Sequence, residues 1–263
     1  MKINISEFDG ERAKLYEKAI TEFPNARQMD IETMHRFLNP QKGERILGFG
    51  EGNGYFCRDI AKAVGPKGYY LVTDPSKDQL ENLKKRINLS QLEIKVMSAE
   101  GLDVSLGFFD KVWSFGAFHH VSNQTEAMKK IYDSLRSGGT AVICDVFQGT
   151  DLSKHFDTQV ARYCVTGHEV KFLSEEFART LCYLAGFDEN KVEIIDIPQK
   201  WMFYSEKEIG QFIHDLHAMT LMEGTEKERV NKTLEGCRKI LGIEIKCGRY
   251  YLNWPMKAIK VVK

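Results

Sequence analysis

The chain has 263 residues, 43% of them hydrophobic and 28% charged, with 37 basic side chains matched by 37 acidic ones. Such a composition fits one generous globular domain, or one domain with an elaborated cap. A net charge of zero argues against a protein whose main task is to neutralise phosphates along DNA or RNA. Met1 to Gly10 holds no apolar signal core. No apolar run approaches the roughly 20 residues that span a bilayer, so cytoplasmic residence without membrane insertion is expected. The six cysteines (57, 144, 164, 182, 237 and 247) contain no C-x-x-C pair and no zinc-ribbon spacing, and read as reduced, mostly buried thiols.

Residues 10 to 38 read as helix, with Leu15, Ala19, Ile20 and Phe23 on one face and a break at Pro24-Asn25. A second helix over Asp30 to Leu38 stops before Asn39-Pro40. Apolar strands and helical stretches then alternate. Strand Arg45 to Phe49 leads to helix Tyr55 to Val64, a turn over Gly65 to Gly68, strand Tyr69 to Thr73 and helix Lys77 to Ile87. A short strand, Ile94 to Met97, and another, Lys111 to Phe115, precede a helix over Gln124 to Leu135, which Ser137-Gly-Gly139 should stop before strand Thr140 to Asp145. This alternation predicts a parallel sheet buried on both faces, with ligands along the edge where the strands' C-terminal ends lie.

Beyond residue 150 the pattern changes. Phe172 to Ala185 reads as helix with Ser174 as its cap, closed by Gly186-Phe187. Val192 to Ile197 is a strand, Ser205 to Thr220 and Thr225 to Leu241 are amphipathic helices, and Arg249 to Asn253 and Lys257 to Val262 supply the last β material. No linker demands separate domains. The expectation is a single domain over 1–263, with a helical cap at 1–40, a cofactor-binding core at 41–150, and a substrate-side cap with the last strands at 151–263.

The run Ile46-Leu-Gly-Phe-Gly-Glu-Gly-Asn-Gly54 is an apolar strand ending in alternating glycines before a helix. Glycines there let the backbone turn sharply and approach a ligand, a nucleotide-type arrangement in open α/β folds. A dinucleotide site wants G-x-G-x-x-G, whereas the spacing here is G-x-G-x-G at 50, 52 and 54. The second strand ends in Asp74, an acid placed to accept from both ribose hydroxyls.

The ordered set resembles the class I S-adenosylmethionine-dependent methyltransferases, especially the small-molecule group akin to the ubiquinone/menaquinone methyltransferases. The set comprises the lead-in Leu38 to Leu47, the glycine loop, Asp74, Ser98-Ala-Glu100, Phe109-Asp110, His119-His120 and Leu135-Arg-Ser-Gly-Gly139. It covers residues 38 to 147 strongly and 172 to 197 weakly. The resemblance implies a Rossmann-like α/β fold: a seven-stranded, mostly parallel sheet with helices on both faces, an N-terminal helical cap and a C-terminal helical insertion. It also implies S-adenosyl-L-methionine as cofactor. Gly48, Gly50, Glu51, Gly52 and Gly54 would wrap its methionine part, Asp74 with Pro75 would hold the ribose, and Ser98, Ala99 and Glu100 would flank the adenine. Ser114, Phe115 and Gly116 would floor the sulfonium, and Tyr16 would close over it. Two departures stand out. The family usually has an acid where this chain has Gly48, and often one where Ser98 stands. Glu51 is a candidate to compensate for Gly48, and if the loop reading holds, Gly48→Asp should preserve or improve cofactor binding; the same departures motivate a non-catalytic member acting as a binding or regulatory partner.

On the substrate side, His119 and His120 follow the fourth core strand, and histidine is a natural base near neutral pH. Tyr163, Trp201, Phe203, Tyr204, Tyr250, Tyr251 and Trp254 supply aromatics suited to a partly apolar pocket. His214 and His217 share a helix face, but without a third ligand by spacing no metal is assigned. Tyr163, Trp201, Tyr204, His214 and Arg249 are the candidate substrate contacts, Arg249 for a carboxylate. The partner expected is a small methyl acceptor, not a nucleic acid, with the chain a monomer or homodimer.

Overall fold

Alternating apolar residues send each central strand's side chains to both faces of the sheet, and both faces are covered. Ile46, Val72, Trp113, Val142 and Ala258 pack on one side, and Leu47, Leu71, Val112, Ile143 and Ile259 on the other. The computed structural model describes residues 6–263; the first five residues, part of the stretch read for a leader, lie outside the described range.

Two helices open the chain, α1 (Glu11–Glu22) and α2 (Gln28–Phe37). The core follows as β1 (Arg45–Phe49), α3 (Cys57–Val64), β2 (Tyr69–Asp74), α4 (Lys77–Arg86), β3 (Leu92–Val96), β4 (Phe109–Phe115), α5 (Gln124–Ser134) and β5 (Leu135–Asp145). Then come α6 (Asp151–His155), a π-helical turn (Phe156–Val160), α7 (Ala161–Tyr163), α8 (Glu175–Ala185), β6 (Val192–Ile197), β7 (Lys200–Phe203), α9 (Glu206–Leu216), α10 (Glu226–Ile240), β8 (Ile243–Lys246), β9 (Arg249–Asn253) and β10 (Met256–Val262). Side-chain caps set several helix starts. Ser76 accepts from the Gln79 amide, Asn123 from Glu126 and Ser174 from Phe177, and Thr225 with Glu228 forms a capping box.

The main sheet has seven strands in the order β3-β2-β1-β4-β5-β10-β6. Strands β1 to β5 pair in parallel, and β10 runs antiparallel between β5 and β6. Chain order reverses beside β1, which lies between β2 and β4; this opens a crevice at the strands' C-terminal ends. A second sheet, β7-β9-β8, belongs to the C-terminal insertion.

The expected stop at Ser137-Gly-Gly139 is not where α5 ends. The helix finishes at Ser134, and β5 begins at Leu135, with the register against β4 shifting between Phe109 and Lys111. Gly138, at φ 75°, lies in that exposed irregularity, where its amide donates to the Lys263 carbonyl. The expected helix from Phe172 starts at Glu175 instead, because Ser174 caps it. No helix among the described residues is long and apolar enough to cross a membrane.

Candidate active site

A cavity of about 730 Å³ opens at the C-terminal edge of the sheet, within the usual range of small-molecule sites, ~300–1,000 Å³. Phe49 to Gly52 reach it from the end of β1, Asp74 and Pro75 from β2, Val96 to Glu100 from β3, and Phe115 to Ala117 from β4. His119 to Ser122 and Val146 continue the wall past β4 and β5, while Ser6, Glu7 and Phe8 line it from the segment before α1. That segment is tied down by the Gly10 amide donating to Asp78 at 2.8 Å and by Ser76 Oγ donating to Asp9 at 2.7 Å.

Gly50 is required by space as well as by backbone. It sits at φ 64°, and a Cβ there would lie 2.2 Å from the Ala117 Cβ, so the loops after β1 and β4 touch only because this residue has no side chain. Gly52 is also left-handed, at φ 53°, with nothing within 4 Å of a built Cβ. Its amide donates 2.8 Å to Asp74 Oδ2, and Ser76 donates 2.8 Å to Oδ1. Burial nevertheless lifts the Asp74 carboxyl to about 6, those two amides opposing the shift only in part.

Glu51 explains Gly48. Its buried carboxylate accepts a 2.7 Å bond from the Tyr70 hydroxyl and lies 3.6 Å from Cys57 Sγ. Burial pushes it up to about 7 against those two hydrogen bonds. A Cβ on Gly48 would stand 2.5 Å from Glu51 Oε1 and 2.6 Å from the Tyr70 hydroxyl. The glycine therefore leaves room for a carboxylate that reaches the strand end from position 51. A side chain at position 48 would force the Glu51 carboxylate and the Tyr70 hydroxyl to move aside, so this geometry sets Gly48→Asp against the expectation that it preserves or improves binding.

The other expected cofactor contacts divide. Tyr16, Pro75, Ser98, Ala99, Glu100 and Phe115 line the cavity, whereas Gly48, Gly54 and Ser114 lie behind it. A Cβ on Gly54 would meet Leu83 at 2.3 Å, away from the loop's open side. Ser114 Oγ is buried with no hydrogen-bond partner. Ser98 Oγ accepts from the Gly101 amide at 3.2 Å, holding its own loop. The Tyr16 hydroxyl accepts 3.0 Å from Arg27, a buried guanidinium paired with Asp30 at 2.6 Å. Burial works against the Arg27 charge, but Asp30 outweighs it and holds the group protonated.

His119 and His120 both line the cavity. Asp145, at the end of β5, accepts the His119 amide at 3.0 Å and holds its Nδ1 at 2.5 Å, leaving Nε2 without a partner. His120 Nδ1 rests against Glu7, and burial pushes its pKa well down, with His119 and Arg12 adding to the shift. Of the expected substrate contacts only Trp201 reaches this cavity. It stacks on Trp254 at 3.9 Å, and its indole N–H donates 2.9 Å to Asp30. Tyr204 is half exposed, and Arg249 lies over its ring at 4.3 Å, on the outside of the small sheet. His214 is held inside the fold by Asp215 at 2.9 Å. Tyr163 lines a separate shallow hollow with Met222 and Gln159. Tyr204 and Arg249 miss the cavity because the insertion turns that face to solvent, whereas His214 is packed in the interior away from it.

Sequence reasoning did not single out Glu7, Arg12, Arg27, Phe156 or His168 as site residues, yet all line the same space. Phe156 begins the π-helical turn, a device frequent at functional sites, and stacks on His168 at 4.9 Å. Arg27 lies between the break at Pro24-Asn25 and the second predicted helix, and its partner Asp30, three residues on, was the signal that could have found it. His168 comes from a stretch with no periodic pattern.

Residues 46–139 match a family model described as a methyltransferase domain. A demethylmenaquinone methyltransferase of Oceanobacillus iheyensis is 27% identical over 135 residues, 50% of this chain and 56% of that protein. A tRNA U34 carboxymethyltransferase of Desulfotalea psychrophila is 28% identical over 115 residues, 43% of this chain and 35% of that one. The chain thus spans between about a third and just over half the length of these relatives. Among solved structures, phosphoethanolamine N-methyltransferase 2 of Haemonchus contortus, in complex with S-adenosyl-L-methionine, superposes with a TM-score of 0.65 at 20% identity, over 94% of this chain and 56% of that one. A methyltransferase of Thermotoga maritima superposes with a TM-score of 0.60 at 18% identity over 98% of both chains. At these identities the structural likeness concerns the fold.

Proposed function

We propose that this chain, whose residues 46–139 match a methyltransferase domain and whose fold is that of S-adenosylmethionine-dependent methyltransferases, transfers the methyl of S-adenosyl-L-methionine to a small, partly apolar acceptor. When bound, that cofactor supplies a methyl group already activated on a sulfonium. The residues present fit it. Glu51 and Asp74 are two buried carboxyls of raised pKa at one end of the cavity, and each is stabilised by a ligand that brings it an ammonium or paired hydroxyls. Asp74 holds the ribose beside Gly52, Glu51 faces the amino-acid end, and Val96, Met97, Ala99 and Glu100 flank the base. Tyr16, fixed by Arg27, stands with Phe115 and Tyr55 around the reacting centre.

The observation that carries this reading is the continuity of one cavity from Asp74 and Glu51 to the chamber of His119, His120, Phe156, Trp201 and Trp254. A nucleophile held there is brought against the methyl by proximity and orientation. His119, its Nδ1 engaged by Asp145, presents a bare Nε2 to take the acceptor's proton. The aromatic walls suit an apolar body carrying one hydroxyl or amine. The neutral overall charge favours a small molecule over a nucleic acid.

Incubation with methyl-labelled S-adenosylmethionine, and either a panel of small hydroxylated and amine-bearing aromatics or bulk tRNA, tests the reading. Label is expected in the small-molecule fraction. Label confined to the RNA overturns the acceptor class, and no transfer from a cofactor that binds makes the chain a binding protein.

A further inference from the structure

We propose that His119, His120 and His168 form a divalent metal site of the zinc or cobalt type, open to the acceptor chamber. One ring nitrogen from each of the three converges so that the ligand atoms lie within 4.8 Å of one another. Three imidazoles with a free fourth position are the donor set of a catalytic rather than a structural zinc centre.

The surroundings favour donation. His119 Nδ1 is held by Asp145, itself anchored by the amides of His119 and Val146. A carboxylate on the far nitrogen fixes the tautomer and turns the Nε2 lone pair outward, as metal-bound histidines commonly require. That Nε2 and both ring nitrogens of His168 are buried without hydrogen-bond partners. Buried unpartnered polar atoms are costly and call for a ligand. His120 Nδ1 touches Glu7 without hydrogen-bond alignment. Phe156 stacks on His168 at 4.9 Å and meets the His119 ring edge-on at 5.6 Å, so the imidazoles are packed in place. Zinc–nitrogen bonds of about 2.0–2.1 Å place tetrahedral ligand atoms roughly 3.4 Å apart. Closure from ligand atoms within 4.8 Å of one another to that spacing calls for inward rotation of the imidazoles.

The Arg12 guanidinium works against a cation here. It is paired with Glu7 at 3.1 Å, donates to Thr166 at 2.9 Å and lies over the Phe8 ring at 3.8 Å, so the Glu7 carboxylate offsets part of its charge beside the three rings. Binding of the ion needs only the imidazoles. Its consequence for methyl transfer rests on the reading above: the fourth position would hold the acceptor's heteroatom, and the base role would pass from His119 to Glu7.

The test uses untagged, chelator-stripped full-length protein titrated with Co²⁺, read by visible d–d absorption and by metal content after gel filtration, with zinc as competitor. We expect one stoichiometric tetrahedral site, displaced by zinc, lost in His168→Gln and in His120→Gln, and weakened about 10–100-fold in Asp145→Asn. The exposed His35 serves as control, and His35→Gln should bind as the parent does. Thermal melts report folding; if one ligand variant unfolds, the other carries the comparison. Absence of a stoichiometric site in the parent overturns the proposal, as does retention of the site in the folded ligand variants or its loss in His35→Gln. S-adenosylhomocysteine binding measured on the same samples separates this failure from failure of the methyltransferase reading.

Discussion

Replacing Glu51 by glutamine should move stability and cofactor affinity in opposite directions. Burial raises this carboxyl from 4.5 to about 7, so the folded protein prefers it protonated. Its contribution to stability is then fully present below pH 4.5 and is lost as pH rises through about 7. Over that window the loss amounts to roughly 3 kcal/mol, taking about 1.4 kcal/mol per pKa unit. Glutamine keeps an acceptor for the Tyr70 hydroxyl and carries no charge. The ligand-free variant should therefore be more stable than the parent at pH 8 and similar to it at pH 4.5. Binding runs the other way. A ligand ammonium favours the ionised carboxylate, so parent affinity for S-adenosylhomocysteine should rise with pH up to about 7 and then level. Loss of a charge-assisted bond, about 1.5–3 kcal/mol, should weaken binding by the variant roughly 10- to 150-fold at pH 8. The variant should also show a shallower pH profile, the remaining slope coming from Asp74, raised to about 6. Denaturant melts at pH 4.5, 7 and 8 and calorimetric titrations at pH 5.5, 7 and 8 measure the two quantities. Parent-like affinity at pH 8 would refute the placement of Glu51 at the cofactor's amino group.

Gly48→Asp should cost at least tenfold in S-adenosylhomocysteine affinity, about 1.4 kcal/mol, because its Cβ would lie 2.5 Å from Glu51 Oε1; the double variant Gly48→Asp/Glu51→Cys should recover much of the loss in the same titration. Asp74→Ala should weaken binding by about 1.5–3 kcal/mol, with unchanged affinity placing the ribose elsewhere. Asp30→Ala leaves the buried Arg27 unpaired and removes the acceptor of the Gln199 and Trp201 side chains. It should cost about 3–5 kcal/mol in urea unfolding, and near-parental stability would show the network to be dispensable.

The core was legible because its signals are local. A buried strand followed by Gly50 and Gly52, and a later strand ending in Asp74, can be read within a dozen residues; the alternation predicts a parallel sheet, and the resemblance implied its seven strands. Strand β7 was not legible: Lys200–Phe203 is short, and its pairing partner, β9, lies some fifty residues later. The acceptor chamber was harder still. His119 and His120 were visible as neighbours after a strand, but His168, Phe156 and Trp254 are brought to them by packing of the insertion, which no periodicity encodes. Position 48 shows the opposite limit. The missing acid was plain in the sequence, and Glu51 could be named as a substitute, but only the Gly48–Glu51–Tyr70 geometry shows that the two acids compete for one space. The same aromatics that suggested a pocket split by face: Trp201 inward on Trp254, Tyr204 outward under Arg249.

The most direct test of the central claim is parallel calorimetric titration of the protein with S-adenosylmethionine, S-adenosylhomocysteine and NADH. Binding of both sulfur compounds at one site per chain, with none of NADH, is the result expected from Glu51, Asp74 and the glycine loop. Binding of NADH, or of neither sulfur compound at pH 8 where Glu51 is ionised, would contradict it.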